Sequence, residues 1–241
     1  MKKVLFAITT LDQNNYTKQC LQSISSCPNI DIELQDDFSK NPKEVKALAT
    51  MYGAKFHPKK SPQGLTDSWN RIYRRFKKSK YDACFISNND IITTESAIKQ
   101  MITALESNTL VVPLSSIKSV SGFIEQTTYR YDVPDLMANN PFQVNMVQNM
   151  LLRKHTANPY AKLPRFHGFF FGFNRNIFSQ EFDKNHLFNP KYTNVGNEDE
   201  LSERLTIRPV VVKTAFVFHY KAVTLGPDSE GNRNILSRFH K

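Results

Sequence analysis

Short apolar runs that alternate with amphipathic stretches constrain this chain more than any other feature. "KKVLFAITT" reads as a buried strand, after which Tyr16, Cys20, Leu21 and Ile24 share one helical face, with Asn14 or Asn15 placed to cap it. "IDIELQ" alternates as a second strand, and "NPKEVKALATMYG" opens on Asn-Pro and closes on Gly, the usual punctuation of a helix. "AKFHP" is a short third strand. Trp69, Ile72, Tyr73 and Phe76 then recur at i, i+3, i+4 and i+7, a helix with an aromatic face. "YDACFIS" is a fourth strand, Ala97, Ile98, Met101, Ile102 and Leu105 mark the next helix, and "TLVVPLS" is a fifth strand. Such alternation predicts an α/β fold, a mostly parallel sheet flanked by helices and joined by right-handed crossovers.

In sheets of this kind ligands bind outside the carboxyl ends of the strands. That rule puts Thr9, Thr10, Asp12, Asp36, Asp37, Asn88, Asn89 and Asp90 on one rim. Neither a GxGxxG turn nor a Walker loop occurs, which disfavours a dinucleotide-dependent dehydrogenase or a P-loop enzyme.

The pattern dissolves between about Ser119 and Pro164, apart from the helix-like "FQVNMVQNMLLRKH". "RFHGFFFGFNRNIF" is aromatic and too broken for a helix. "GNEDELSERL" reads as a helix start with acids in its first turn, and "RPVVVKTAFVFHY" as the last strand. A polar tail is expected from about residue 227. The expectation is a single domain with an insertion, its halves running over 1–118 and 119–241.

The net charge of +10, 32 basic against 22 acidic residues, favours anionic partners. The densest basic run, Arg71 to Lys80, lies on the Trp69 helix, where it reads as a solvated face rather than a nucleic-acid surface. A rim of carboxylates also argues against nucleic acid, and no nucleic-acid partner is expected. Seating on an anionic membrane surface remains compatible with the charge. Three cysteines without paired spacing fit a reducing, cytoplasmic location. The opening "MKKVLFAITTLDQNNY" lacks the length and cleavage site of a signal peptide, and no run approaches the ~20 apolar residues of a membrane span.

Asp36–Asp37, Asp90 and Glu198-Asp199-Glu200 converge if the topology holds. Carboxylates beside basic residues suit a divalent cation bridging an anionic substrate: Mg²⁺ through oxygen ligands, Mn²⁺ with tolerance for an imidazole such as His219.

These residues carry a resemblance. "VLFAITTLDQNNYTKQCLQSI" is similar to the first strand and helix of GT-A fold inverting glycosyltransferases of the family 2 type. "LQDDFSKN" resembles that family's second-strand signature, with Phe38 where Gly is usual. "SPQGLTDSWNRIY" resembles the segment with Gly and Asn, here Gly64 and Asn70. "ACFISNNDIITTESAIKQMI" resembles the strand, DxD-type motif and helix, with Asn88 in the first acidic position. "HGFFFGFNRNIF" is similar to the acceptor-side loop, "GNEDELSERL" to the acidic helix start, and "FVFHY" supplies a C-terminal His.

The resemblance implies transfer of a hexose or deoxyhexose from a nucleotide-diphosphate sugar, UDP foremost, to a glycan or glycoconjugate hydroxyl, with Mn²⁺ or Mg²⁺. Residues 1–118 would hold the donor and 119–241 the acceptor and catalytic groups. Asp90 would hold the metal; its plainer reading is a turn residue or the cap of the helix at Thr93 and Thr94. His219 is either a second metal ligand or a structural histidine. Thr9, Asp36, Asp37, Gly64, Asn70, Asn88 and Asn89 would line the nucleotide-sugar site, Asp36 accepting from a base N3–H. Its plainer reading is strand-end turn chemistry. Asp199 would be the general base, or Glu198 if the register shifts by one. His167, Gly168 and Gly172 would shape the acceptor cleft. Two alternatives remain: a sugar-phosphate nucleotidyltransferase-like enzyme, whose Gly-rich basic loop "TTLDQNN" lacks, and a basic nucleic-acid-binding domain.

Overall fold

The computed structural model describes residues 3–120, 123–133 and 140–221 of the 241. The expected tail from about residue 227 lies outside them. The chain runs β1 (Val4–Thr10), α1 (Asn14–Ile24), β2 (Ile30–Asp36), α2 (Pro42–Met51), β3 (Lys55–Pro58), α3 (Gly64–Lys78) and β4 (Ala83–Asn88). It continues through β5 (Ile91–Ile92), α4 (Glu95–Ala104), β6 (Leu110–Leu114), α5 (Pro141–His155), β7 (Tyr160–Lys162) and β8 (Phe170–Asn174). The last elements are α6 (Asn197–Arg204), β9 (Val210–Phe216) and β10 (Phe218–His219). Short 3₁₀ turns at Ile117–Val120, Ile124–Gln126 and Tyr129–Tyr131 fill the segment where sequence periodicity lapses.

One sheet of order β3-β2-β1-β4-β8-β6-β9-β7 crosses the molecule. β1 pairs in parallel with β2 and β4, β2 with β3, and β6 with β9. β8 is antiparallel to both β4 and β6, and β7 to β9. Because β8 runs backwards, β6 and β9 point the same way as β1–β4, and the start of β8 lies at their carboxyl ends. The expected mostly parallel sheet is present. "FFGFN", an unassigned loop by sequence, is a central strand.

The central strands of the sheet are buried on both faces. All seven residues of β1 are buried, with Leu5 and Ala7 in one apolar cluster and Val4, Phe6 and Ile8 in the other, the period-two alternation of a strand between two layers. Trp69, Ile72, Tyr73 and Phe76 of α3 pack with Phe171, Phe173 and Phe188 on the first face. Each such large side chain, fully buried, contributes ~1.5–3 kcal/mol. Gly172 sits opposite Phe85, and a Cβ there would come within 2.2 Å of that ring. This glycine admits β8 to the sheet and does not shape an acceptor cleft, a correction to the sequence expectation. Helix α1 differs in a smaller way: Gln13, in left-handed conformation at φ 57°, holds the N-cap position instead of Asn14 or Asn15. Among the described residues no helix is long and apolar enough to cross a membrane.

Candidate active site

Beyond β4 the chain turns through Asn89 and Asp90 into β5, which pairs antiparallel with β10. Ile91 lies opposite His219, and Tyr220 N–H donates to the Asp90 carbonyl at 2.9 Å. This two-stranded ribbon, missed by sequence because each strand has two residues, brings His219 Nε2 to 3.2 Å from Asp90 Oδ1. The imidazole is held on its other sides. Nδ1 lies 3.1 Å from the Ser119 carbonyl, Ser119 Oγ donates to the His219 carbonyl at 2.7 Å, and the Phe169 ring stacks on it at 4.9 Å and 10°. A proton on Nδ1 is the one that fits an acceptor carbonyl, so Nε2 is the atom presented to the carboxylate. Burial pulls the His219 pKa down, but the Asp90 charge and the bonds to Asp90 and Ser119 outweigh it, and the net shift is upward.

One carboxylate oxygen and one oriented imidazole nitrogen are a donor set that Mn²⁺ accepts. Among the described residues no group of three or more His, Cys, Asp or Glu side chains forms a metal site. A cation here would therefore complete its shell from a bound diphosphate and water, the usual way a hard cation is shared with phosphates.

The rest of the carboxyl rim is built differently. Asn89 Nδ2 donates to Thr10 Oγ1 at 3.1 Å and Thr17 Oγ1 at 2.9 Å, tying β4 to β1 and α1. Thr9 Oγ1 donates to the Ser87 carbonyl at 3.1 Å. Asp37 meets Lys59 Nζ at 2.5 Å, and the same buried ammonium donates to the Gly64 carbonyl at 2.7 Å and approaches Asp67 at 3.2 Å. Gly64 is required twice over: its φ is +80°, and a Cβ would lie 2.6 Å from the Thr193 carbonyl oxygen. Asn70 donates to the Phe188 carbonyl at 2.9 Å and accepts from Leu187 N–H at 3.1 Å and Phe188 N–H at 3.0 Å. The bonds of Thr9, Asp37, Gly64, Asn70 and Asn89 thus go to the scaffold. Asn88 stands half-buried at the end of β4, its N–H donating to the Phe169 carbonyl at 2.9 Å. Asp36 is buried, and its Oδ1 accepts from Ser39 N–H at 3.1 Å, as the turn reading predicts. Burial raises its pKa, the bonds to Ser39 offsetting only part.

The acidic helix start faces the same end of the sheet. Asn197 Nδ2 donates to Thr66 Oγ1 at 3.0 Å and anchors α6 on α3. Glu198 Oε1 lies 3.4 Å from Gly168 N, at the entry to β8. A Cβ on Gly168 would lie 2.7 Å from the Trp69 ring, so glycine lets the chain pass between Trp69 and Glu198. Burial raises the Glu198 pKa, the two backbone N–H bonds it accepts resist this, and the Asp199 charge adds to the rise. Asp199 is exposed and loosely paired with Arg165 at 3.5 Å. Between the two acidic sites stands His167, whose N–H donates to Gln126 Oε1 at 2.9 Å. Burial and Arg165 lower its pKa, and both Asp199 and His219 act on its charge. Ser119, Phe169 and Lys59 escaped sequence reading. Lys59 lies twenty residues after "DDFS" in sequence and belongs to no motif, and the contacts of the other two exist only after folding.

The sequence matches no family model, and no curated protein is similar to it in sequence. Solved structures are similar in fold. A mannosyltransferase from Pyrobaculum calidifontis, in complex with GDP-mannose and Mn²⁺, matches at TM-score 0.59 and 12% identity over 90% of this chain and 56% of its own. GalNAc-T7, with UDP, GalNAc and Mn²⁺, matches at TM-score 0.63 and 13% identity over 90% of this chain and 43% of its own. The chain thus spans about half the length of these structures. The fold is the GT-A fold.

Proposed function

We propose that this protein is a metal-dependent, inverting glycosyltransferase that moves a hexose or deoxyhexose from a nucleotide-diphosphate sugar to a hydroxyl of a glycan or glycoconjugate. The observation that carries the reading is the ribbon that sets His219 Nε2 against Asp90 Oδ1 at the carboxyl rim of a GT-A sheet. Both structural neighbours contain Mn²⁺ with a nucleotide or nucleotide sugar, which supports a similar ligand here.

Asp90 and His219 would hold Mn²⁺ or Mg²⁺, and the bound ion would offset charge on the departing diphosphate. Lys221, close enough to act on the charges of His219 and His167, adds a cation on the same side. Asp36, its carboxylate fixed by Ser39 N–H, accepts the base N3–H, which favours a uracil nucleotide. Glu198 takes the proton from the acceptor hydroxyl as that oxygen attacks the anomeric carbon opposite the leaving group. A raised carboxylate pKa suits this task, because it makes a stronger base at neutral pH. Asp199, the residue first favoured by the motif, faces solvent and supports Glu198 by its charge.

The test is a screen of UDP-, dTDP- and GDP-sugars for thermal stabilisation and slow donor hydrolysis, with and without Mn²⁺. Stabilisation by one nucleotide family that requires the metal and is lost in Asp90→Ala and His219→Ala is the expected result. Indifference to every nucleotide sugar sinks the proposal.

A further inference from the structure

Helix α5 leaves large apolar side chains in water. Phe142 is 79% exposed, Met146 40% and Met150 36%. Their i, i+4, i+8 spacing lines them along one side of the helix. They are not its core side: Val144, Val147, Gln148 and Leu151 are buried, and Gln148 binds β9 through the Thr214 carbonyl at 2.7 Å and Phe216 N–H at 2.8 Å. At the far end of α5, His155 packs on Tyr131, next to a highly exposed Tyr129. Basic residues outnumber acidic ones beside the stripe. No Asp or Glu occurs in the sequence between Asp135 and Glu181, while Arg153 and Lys154 close the helix and Lys162 and Arg165 follow. Asp132 and Glu125 lie near the basic end of the helix, where Lys154 Nζ donates to the Asp132 carbonyl at 2.7 Å and lies 3.9 Å from its carboxylate, which leaves Arg153 as the helix cation without an acidic partner on this face among the described residues.

We infer that this face of α5 seats the protein on an anionic lipid bilayer, with Phe142, Met146 and Met150 at the boundary between headgroups and acyl chains and Arg153 and Lys154 against the headgroups. A helix lying in a membrane interface combines an aromatic and aliphatic stripe with flanking basic residues, and α5 has both. A second copy of this chain is a poor occupant, because two molecules of net charge +10 repel, whereas an anionic surface attracts them. The inference does not depend on sugar transfer, which hydrolysis of soluble donors tests separately.

The experiment is co-sedimentation of the full chain with vesicles of phosphatidylcholine alone and of phosphatidylcholine with phosphatidylglycerol. Binding is expected only to the anionic vesicles and weakens as salt is added. The variant Phe142→Asn/Met146→Gln/Met150→Gln should lose at least about tenfold in affinity. Arg153→Gln should lose about fivefold. Both should keep the parental melting temperature, since the side chains are exposed. Equal binding by the triple variant, equal binding to neutral vesicles, or no binding to anionic ones overturns the inference. So does a concentration-dependent dimer that the triple variant abolishes, which would assign the face to a second copy.

Discussion

Two acidic pairs stand at the same end of the sheet, and the fold treats them in different ways. Asp36 and Asp37, at the end of β2, are buried and firmly bonded, one to Ser39 N–H at 3.1 Å and the other to Lys59 at 2.5 Å. Glu198 and Asp199, at the start of α6, have partners at 3.4 and 3.5 Å, beyond the range of a good N–H···O bond. A carboxylate fixed by bonds to the scaffold is oriented for recognition and still has acceptor sites to offer. A desolvated carboxylate with weak partners keeps its basicity for a proton. The first pair suits recognition of a donor and the second suits proton transfer.

The sharpest way to break this contrast is inside the second pair. Glu198→Gln should lower kcat by ~10²–10⁴ with little change in donor KM. Asp199→Asn should cost less than about fivefold, because it acts on Glu198 only through an exposed charge. The pH profile carries the same assignment. A general base at Glu198 would have to be ionised, so activity should be lost as pH falls through its raised pKa, placing the acid limb above the ~4.3 of an ordinary glutamate. Asp199→Asn should move that limb to lower pH. Stability follows the reverse sign: the fold disfavours ionised Glu198 above that raised pKa and not below the ordinary one, so Glu198→Gln should unfold at higher temperature at neutral pH. A larger loss of turnover in Asp199→Asn than in Glu198→Gln would reverse the roles.

Within the first pair the largest effect is on stability. Lys59 has no exposed side-chain surface, and removing it leaves Asp37 charged in a buried site. Lys59→Met should cost ~3 kcal/mol, read from denaturant unfolding. An unfolding free energy within about 1 kcal/mol of the parent would show that Asp37 relaxes into water. Asp36→Asn is milder. The amide oxygen can still accept from Ser39 N–H, so the turn survives, while a charge-assisted bond to the donor base is lost. Donor affinity should fall about tenfold with the melting temperature held. Unchanged donor affinity would leave Asp36 as a turn residue alone.

How much of this was legible differs between the two pairs for a physical reason. β1, β2, β3 and β4 read directly from sequence because strand and helix alternate at close range, and the apolar runs of β1 and β4 are buried on both faces. Asp36 and Asp90 followed, since the carboxyl ends of those strands define the rim. The second half is held by contacts over long separations: Gly64 on Thr193, Asn197 on Thr66, Gln148 on β9. None has a local periodicity. β8 was hidden by Gly172, which breaks the apolar pattern and yet admits the strand against Phe85. The choice between Glu198 and Asp199 depends on which one faces Gly168, a matter of helix phase that adjacent acids in sequence do not reveal.

Phe38 ties the motif to the backbone and gives the smallest effect. It follows Asp36–Asp37 at the position where the resembled family has glycine, and its φ is +71°. That left-handed region costs a residue with a Cβ about 1–2 kcal/mol, which explains why glycine is usual there. The chain tolerates phenylalanine because the turn is held from both sides, Ser39 N–H on Asp36 Oδ1 and Asp12 N–H on Ser39 Oγ at 2.8 Å. Phe38→Gly relieves the strain but gives the unfolded chain more freedom to lose, and it removes a ring that is 36% exposed. The relief exceeds the added entropy by about 1 kcal/mol at most, so a small rise in melting temperature is expected. If Phe38→Gly also leaves donor KM unchanged, the ring takes no part in nucleotide recognition and the first pair alone sets it. A fall in melting temperature would mean that packing of the ring outweighs the strain of its backbone.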